Sequence, residues 1–260
     1  MRWIRYAHQG ETSYGILEGE HITPVRGDPF RGYERTGLRL ALSAVKIAIP
    51  VVPPTFYCVG LNYAEHIGAA AAKLGRPLQL PKQPDVGYRA ANALIAHDEP
   101  VVIPADARKV NYEGELAVVI GARAKNLSEA DALSCVLGYS IGNDVSERVW
   151  QGSDRTLWRA KNADTFKPMG PWIETAVDLD ALETRVRVNG KETTRFRTNA
   201  MVFSIATYIS TITRYVTLHP GDTIWMGTDG TSPDLKPGDT VEVEITGIGT
   251  LRNPFVAAPR

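Results

Sequence analysis

The chain has 260 residues, 43% of them hydrophobic, and its 29 Lys and Arg residues balance its 29 Asp and Glu residues. This length and composition allow a large hydrophobic core, and a formal net charge of zero gives no single-sign field that would attract nucleic acid or an anionic membrane. No basic segment followed by an apolar run opens the chain, and its two cysteines lie in apolar stretches typical of a reduced compartment. We therefore expect a cytoplasmic protein with neither a nucleic-acid nor a membrane partner.

Residues 1–52 are predicted to form a small N-terminal β domain. Its candidate strands are Arg2–Ala7, Ser13–Leu17 and His21–Pro24, which are separated by glycines. The run Ile49–Pro54 contains three prolines, which can continue neither a helix nor a central strand. We place a domain boundary there and assign residues 53–260 to one main domain.

Most elements of the main domain are predicted to be short strands rich in β-branched residues. The candidate strands are Val101–Ile103, Glu115–Ile120, Leu137–Asn143, Trp172–Glu174, Arg185–Val188, Thr223–Met226 and Thr240–Ile245. Two helices are predicted, one from Ser128 to Cys135 and one from Ala200 to Tyr215, where apolar residues recur at helical spacing. The pattern predicts an α+β fold that is mostly β, with mixed sheets and few helices.

Two carboxylates stand at the start of an apolar strand, and a third follows the next strand along the chain. Side chains alternate faces along a strand, so Glu113 and Glu115 point the same way. Like charges at this spacing repel each other unless a cation lies between them, and carboxylates suit Mg²⁺, Mn²⁺ or Ca²⁺ better than Zn²⁺. Asp144 would supply a third ligand. The alternative is an ordinary solvated strand face, although Ala117 and Val119 continue the same face as apolar residues.

Several motifs of the chain, in their order, resemble those of the fumarylacetoacetate hydrolase family. They are Val59–His66, Tyr112–Leu116, Asn143–Arg148, Lys161–Phe166, Pro220–Asp222 and Gly247–Pro254. The resemblance implies that residues 53–260 form a catalytic domain with the mixed-sheet roll or sandwich of that family. It also implies that Glu113, Glu115 and Asp144 hold Mg²⁺, with Mn²⁺ or Ca²⁺ as alternatives, and that the metal chelates the oxygens of a 1,3-dicarbonyl or 2-oxo acid.

His66 is the candidate general base. An imidazole titrates near neutral pH, so it can activate a water molecule or move a proton at carbon. Spacing alone leaves open a structural histidine at a helix start, and the resemblance favours the catalytic role. Residues 67–85 form either a lid over His66 or a surface connector. Within them the alanine-rich residues 69–74 favour a helix, which the glycine and prolines that follow would break.

Arg148 and Gln151 lie four and seven residues after Asp144. A short helical turn there would put both side chains on the side of the metal, and a guanidinium suits recognition of a carboxylate. The resemblance implies that both residues contact substrate oxygens. The alternatives are a surface ion pair of Arg148 with Glu147 or Glu192, and plain solvent exposure of Gln151.

The resemblance implies roles for further polar residues. Lys161 resembles the family lysine that neutralises negative charge on the bound substrate, and Thr165 resembles its hydroxyl partner beside the metal. Thr228 matches a threonine that binds substrate, although a hydroxyl that stabilises a turn is an alternative. Arg89 stands where relatives often carry a lysine; it suits a distal substrate carboxylate, with a surface cation as the alternative.

Besides Arg89, three positions depart from the family pattern. Hydrolases of the family commonly carry a glutamate three residues after the histidine, where this chain has Ala69. Without that carboxylate the imidazole is less basic and less well oriented, so activation of water is the step in question. Asp229 and Asn111 replace a common proline and a common aspartate, which predicts an altered substrate pocket.

The resemblance therefore implies a Mg²⁺-dependent enzyme that hydrolyses a C–C bond of an acylpyruvate or a fumarylacetoacetate-like substrate. An alternative enzyme isomerises or decarboxylates substrates of the same class, such as 2-hydroxy-dienoates or oxaloacetate; either enzyme would belong to aromatic or sugar-acid catabolism. A further alternative is a catalytically silent protein that binds 2-oxo acids.

We expect a homodimer, for which the apolar face of residues 200–215 is a candidate interface. Asp144→Ala is expected to abolish metal-dependent turnover and to leave the fold intact.

Overall fold

Strands make up most of the regular structure in the computed structural model, which describes residues 1–73, 75 and 77–259, without the side chains of residues 70 and 73. The N-terminal strands are β1 Arg2–His8, β2 Glu11–Glu18, β3 His21–Asp28, β4 Gly32–Arg35, β5 Leu40–Ala41 and β6 Lys46–Ile47. The next strands are β7 Phe56–Gly60, β8 Asp85–Tyr88, β9 Leu94–Ile95, β10 Val101–Ile103, β11 Val110–Asn111, β12 Gly114–Ile120 and β13 Val136–Asn143. The remaining strands are β14 Ser146–Glu147, β15 Lys167–Glu174, β16 Glu183–Val188, β17 Lys191–Arg197, β18 Thr223–Trp225, β19 Thr240–Ile245 and β20 Gly249–Ala257.

Helices are few and mostly short. The α-helices of the described residues are α1 Ala64–Lys73, α2 Arg148–Gln151, α3 Trp158–Asn162 and α4 Ile205–Tyr215. Single turns of 3₁₀ helix span Leu42–Ala44, Ala91–Ala93, Ala132–Cys135 and Leu179–Ala181. No helix in the described part of the chain is both long and apolar enough to cross a bilayer.

Two sheets pack together across the main core. The larger follows the order β4-β3-β2-β1-β15-β13-β12-β18-β7-β8, and the smaller follows β10-β20-β19-β16-β17. Leu116 of β12 shares a buried cluster with Val186 and Val243 of the smaller sheet. Gly114 allows this close approach, because a Cβ there would lie 2.8 Å from Val243 Cγ1. The mostly β, mixed-sheet fold predicted from the sequence is confirmed.

Strand β12 is buried on both faces. Leu116, Val118 and Ile120 face the cluster between the sheets, whereas Ala117 and Val119 belong to a second cluster that includes Trp225 and Met169. Successive side chains of a strand point to opposite faces, so Glu113 and Glu115 share the face of Ala117 and Val119. The two carboxylates therefore lie where this second cluster ends.

The N-terminal strands extend the larger sheet. Strand β1 pairs with β15 through Arg2 opposite Glu174 and Trp3 opposite Ile173. Trp3 is buried in the same cluster as Ile173 and Ala117. The N-terminal β structure is thus confirmed, while the division into domains at residues 52 and 53 stays a prediction.

Helix α4 is shorter than predicted, and its apolar face packs against the core of its own chain. The helix begins at Ile205 instead of Ala200, because Ser204 Oγ accepts the Thr207 N–H over 3.1 Å and caps the N-terminus. Its buried apolar residues, Ile205, Tyr208, Ile209 and Ile212, pack into the core of this same chain. That face is therefore no free interface, and the homodimer remains a proposal without this support.

Two other helix predictions differ from the structure. Only Ala132–Cys135 is helical within the predicted segment 128–135, and Ser128 Oγ accepts the Asp131 N–H in a turn before it. The helix predicted at 69–74 begins earlier, as α1. Residues 74 and 76 of the candidate lid, 67–85, lie outside the described residues, so the choice between lid and connector stays open.

Candidate metal centre

The three predicted metal ligands lie together at one end of β12 and β13. These strands are antiparallel with Gly114 opposite Asn143, and the Asp144 N–H donates to the Glu113 carbonyl over 2.8 Å. This register sets Asp144 beside the two glutamates. One carboxylate oxygen from each of Glu113, Glu115 and Asp144 lies within 4.8 Å of the others, and all three residues are buried.

Glu115 is the carboxylate whose charge is least compensated. Burial, Asp144 and Glu113 raise its pKa to about 8, although the Gly227 N–H donates to its Oε2 over 2.9 Å. The ion pairs of the cluster involve Glu113 and Asp144 instead. A divalent cation would relieve this repulsion, and three carboxylates are the hard oxygen donors that Mg²⁺, Mn²⁺ and Ca²⁺ prefer. The residues therefore fit a divalent metal.

Asp144 forms ion pairs with three basic side chains from separate segments. Arg89 contacts both carboxylate oxygens, with Nη2 2.9 Å from Oδ2 and Nε 3.1 Å from Oδ1. Lys161 Nζ lies 3.0 Å from Oδ2, and Lys167 Nζ lies 2.7 Å from Oδ1. Burial opposes the charged form, but these three cations hold the pKa of Asp144 well below its usual range. The carboxylate therefore stays ionised.

Glu113 is held by Lys161 and Arg148. Lys161 Nζ lies 2.5 Å from Oε2, and Arg148 Nη2 lies 2.7 Å from Oε1. Burial acts to raise the pKa of Glu113, but the two cations lower it to about 2. Glu147, considered above as a surface partner of Arg148, instead accepts hydrogen bonds from three main-chain N–H groups.

The Arg148 guanidinium is oriented by two further neighbours. Its Nη1 donates to Gln151 Oε1 over 2.8 Å, so helix α2 does bring the two predicted residues together. Its Nε donates to Asn111 Oδ1 over 3.0 Å. The Asn111 amide in turn donates to the Pro233 carbonyl and the Asp234 carboxylate. Asn111 therefore positions Arg148, a role that its place next to Tyr112-Glu113 did not predict.

His66 lies in the first turn of α1, where it is held from outside the helix. Its main-chain N–H donates to Asp229 Oδ1 over 2.8 Å, and its Nδ1 lies 3.2 Å from the Gly230 carbonyl oxygen. A carbonyl can only accept, so Nδ1 carries a proton in this contact, and in the neutral form of the ring Nε2 has the lone pair. The imidazole is near enough to Glu113 to contribute to lowering the pKa of that carboxyl.

The loop Gly227–Gly230 joins the carboxylate cluster to His66. Gly227 has a φ of 83°, a conformation that favours glycine, and it donates its N–H to Glu115. Asp229, two residues later, binds the start of the helix that carries His66. Thr228 is buried, and its hydroxyl makes a long 3.4 Å contact to the Asp229 carbonyl. Its predicted contact with substrate stays a prediction.

Thr165 and Arg89 have protein partners that the sequence did not predict. Thr165 Oγ1 accepts the Val102 N–H over 2.8 Å and so supports β10. The Arg89 side chain is 9% exposed and pairs with Asp144. Their contacts with substrate stay predictions. Lys167 was missed altogether, and the available signal was a lysine at the head of an otherwise apolar strand.

Two family models together match nearly the whole chain. The family described as "Fumarylacetoacetate (FAA) hydrolase C-terminal" matches residues 55–256, and "Rv2993c-like, N-terminal" matches residues 1–50. Protein Rv2993c of Mycobacterium tuberculosis is 39% identical, in an alignment that covers 98% of each chain.

Two solved structures are similar over the whole length. That of 5-carboxymethyl-2-hydroxymuconate delta-isomerase from Mycobacterium smegmatis has a TM-score of 0.90 and 36% identity, and covers 99% of this chain and 100% of its own. That of maleylpyruvate hydrolase from Sphingobium sp. SYK-6, in complex with manganese(II) and pyruvate, has a TM-score of 0.82 and 25% identity, with 100% of both chains covered. From these matches along nearly all of its length, the chain belongs to the fumarylacetoacetate hydrolase family.

Proposed function

We propose that the protein is a divalent-metal-dependent isomerase that moves a proton within a small 2-oxo or 2-hydroxy-dienoate acid. Glu113, Glu115 and Asp144 would hold Mg²⁺ or Mn²⁺, with Ca²⁺ as a third possibility. When bound, such a cation draws electron density from the carbonyl oxygens of the substrate. We favour isomerisation because the hydrogen-bond partner of His66 Nδ1 is a main-chain carbonyl and not a carboxylate.

Arg148 and Lys161 keep hydrogen-bond donors for a substrate. A guanidinium has five N–H groups, and three of those of Arg148 are taken by Asn111, Gln151 and Glu113. Among the residues that the structure describes, the other two have no partner, which leaves them for a substrate carboxylate. An ammonium has three N–H groups, and Lys161 uses two of them on Glu113 and Asp144. The third can stabilise negative charge that develops on a substrate oxygen.

His66 would move the proton. With Nδ1–H donating to the Gly230 carbonyl, the Nε2 lone pair can take a proton from one carbon of the substrate. The resulting imidazolium returns that proton at a different carbon, and the double bond shifts between them. This reaction needs no activated water. The carboxylate that commonly follows the histidine in hydrolases of the family is replaced by Ala69, which fits such a transfer.

The comparisons supply two candidate outcomes. The similarity to the Mycobacterium smegmatis isomerase, at 36% identity, supports isomerisation. The similarity to the maleylpyruvate hydrolase favours hydrolytic C–C cleavage as the second candidate, with the same three metal ligands. Decarboxylation of oxaloacetate would use the same residues. We also propose that the protein acts in the cytoplasm as a homodimer.

A product assay distinguishes these reactions. The protein would be incubated with Mg²⁺ or Mn²⁺ and with acylpyruvates, oxaloacetate and 2-hydroxymuconate-like dienoates, and the products would be separated and weighed by mass spectrometry. In ordinary water we expect a product with the same mass as the substrate. In heavy water we expect deuterium at the newly protonated carbon only in those turnovers in which the His66 imidazolium exchanges its proton with solvent before returning it. Two fragments that together contain one added water would establish hydrolysis instead. If the protein converts none of these acids with either metal, it is not an enzyme that acts on them.

His66→Gln is expected to slow the isomerisation by about 10²–10⁴-fold, because it removes the group that carries the proton. The affinity for Mn²⁺ should change little, since His66 is not among the proposed ligands. The initial rate and a Mn²⁺ titration measure the two effects. His21→Gln, which alters an exposed histidine of β3, is the matched control. An unchanged rate in His66→Gln would remove His66 from the mechanism.

A further inference from the structure

Lys167 is a fully buried cation that the proposed proton transfer does not use. Its Nζ donates to the carbonyls of Val145, over 3.1 Å, and Phe166, over 2.8 Å, and lies 2.7 Å from Asp144 Oδ1. These three acceptors match the three N–H groups of an ammonium. The side chain therefore has no remaining donor for a substrate and acts on the centre through its charge.

The centre has more positive than negative side chains. Its three carboxylates, Glu113, Glu115 and Asp144, are accompanied in the described chain by four ion-pairing basic residues, Arg89, Arg148, Lys161 and Lys167. A divalent cation would add two positive charges to this excess. Repulsion between like charges is much stronger in a buried site than in water. The basic residues that pair with these carboxylates therefore disfavour the binding of a metal cation.

We propose that Lys167 lowers the affinity of the carboxylate cluster for metal, so that metal binds tightly only together with an anionic ligand. This inference rests on the metal centre proposed above. Arg89 and Lys161 contact the Asp144 carboxylate independently of Lys167. The Asp144 carboxylate would therefore keep its orientation if the Lys167 charge were lost.

The same charge count identifies the chemical class of the anionic ligand. A 2-oxo acid brings at least one carboxylate, and a dicarboxylate brings two, which offsets the positive excess of the metal-loaded centre. Each ligand then raises the affinity for the other by the same factor, because coupling between two binding sites is reciprocal. The centre is thus suited to dianionic substrates more than to monoanionic ones.

Mn²⁺ titration tests the inference, with oxalate as a non-reacting dianion. Calorimetry and the electron paramagnetic resonance of free Mn²⁺ would be followed at pH 7 for wild type and Lys167→Met, with and without oxalate. Without oxalate, Lys167→Met should bind Mn²⁺ about tenfold more tightly or better, since one buried like charge is gone. Oxalate should tighten Mn²⁺ binding more in wild type than in the variant. Lys46→Met, at a mostly exposed lysine of β6, should match wild type.

The outcomes separate this inference from the proposed metal centre. Equal or weaker Mn²⁺ binding by a folded Lys167→Met, beside a wild type that does bind Mn²⁺, would overturn the role of Lys167 alone. A wild type that binds no Mn²⁺ with or without oxalate would overturn the metal centre and this inference together. Thermal unfolding checks the fold of the variant. If Lys167→Met does not fold, Lys167→Gln keeps a donor for the buried carbonyls, removes the charge and gives the same comparison.

Discussion

Glu115→Gln is expected to leave the chain folded and to weaken Mn²⁺ binding by more than about a hundredfold, with loss of turnover. The glutamine carbonyl can still accept the Gly227 N–H, whose nitrogen lies 2.9 Å from Glu115 Oε2 in the wild type. The substitution removes one of three hard oxygen ligands, together with the negative charge that this ligand carries once a metal is bound. Calorimetric titration with Mn²⁺ measures the affinity, and the product assay measures turnover.

The same variant should change how stability depends on pH. In metal-free protein, Glu115 keeps its proton up to a pKa of about 8, whereas in the unfolded chain it loses the proton near its ordinary value. The unfolded state is therefore favoured as pH rises from the ordinary pKa of a glutamate to about 8. The free energy of unfolding should fall by roughly a few kcal/mol between pH 5 and pH 8. Glu115→Gln should lack this fall.

Urea unfolding at both pH values, with a chelator present, measures the effect. Added Mn²⁺ should restore stability at pH 8, because a metal ligand must be deprotonated and the ion binds only the folded centre. Glu18→Gln, at an exposed glutamate of β2, serves as the control. If wild type and Glu115→Gln show the same pH dependence and the same Mn²⁺ affinity, Glu115 is not a ligand.

Asp144→Ala is expected to destabilise the fold by about 3–5 kcal/mol. The aspartate is the shared partner of Arg89, Lys161 and Lys167, whose side chains are 9%, 5% and 0% exposed. Removing the carboxylate leaves buried cations uncompensated, and burial of an unpaired charge is costly. These ion pairs change the expectation from sequence, in which this substitution left the fold intact.

Guanidinium or urea unfolding of wild type and Asp144→Ala measures the difference. Asp98→Ala breaks an ion pair with Arg252 in which both side chains are about half exposed, and it should cost less than about 1 kcal/mol. Comparable small losses for both variants would show that the basic residues around Asp144 are stabilised by other contacts. Glu115→Gln is therefore the better variant for a test of metal binding.

Much of the fold and of the carboxylate cluster follows from local sequence patterns. Alternating side chains in β12 place Glu113 and Glu115 on one face whatever packs around them, and the apolar residues Ala117 and Val119 indicate that this face is buried. Seven strands of the main domain were identified from β-branched runs and turn residues, whereas others, among them β17 and β20, were not predicted. Helix α4 was identified by periodicity, although its start was set by the Ser204 cap.

What surrounds the cluster was decided only by the tertiary structure. Arg89 and Lys167 reach Asp144 from segments that no local pattern connects to it, and Asp229 reaches His66 across the chain. A basic residue in a sequence has many possible acidic partners, and only the packing of the sheets selects one of them. By itself, the sequence determined which carboxylates share a face, because strand geometry depends on neighbouring residues alone. The balance of charge around them depends on distances between remote segments, so it required the folded chain.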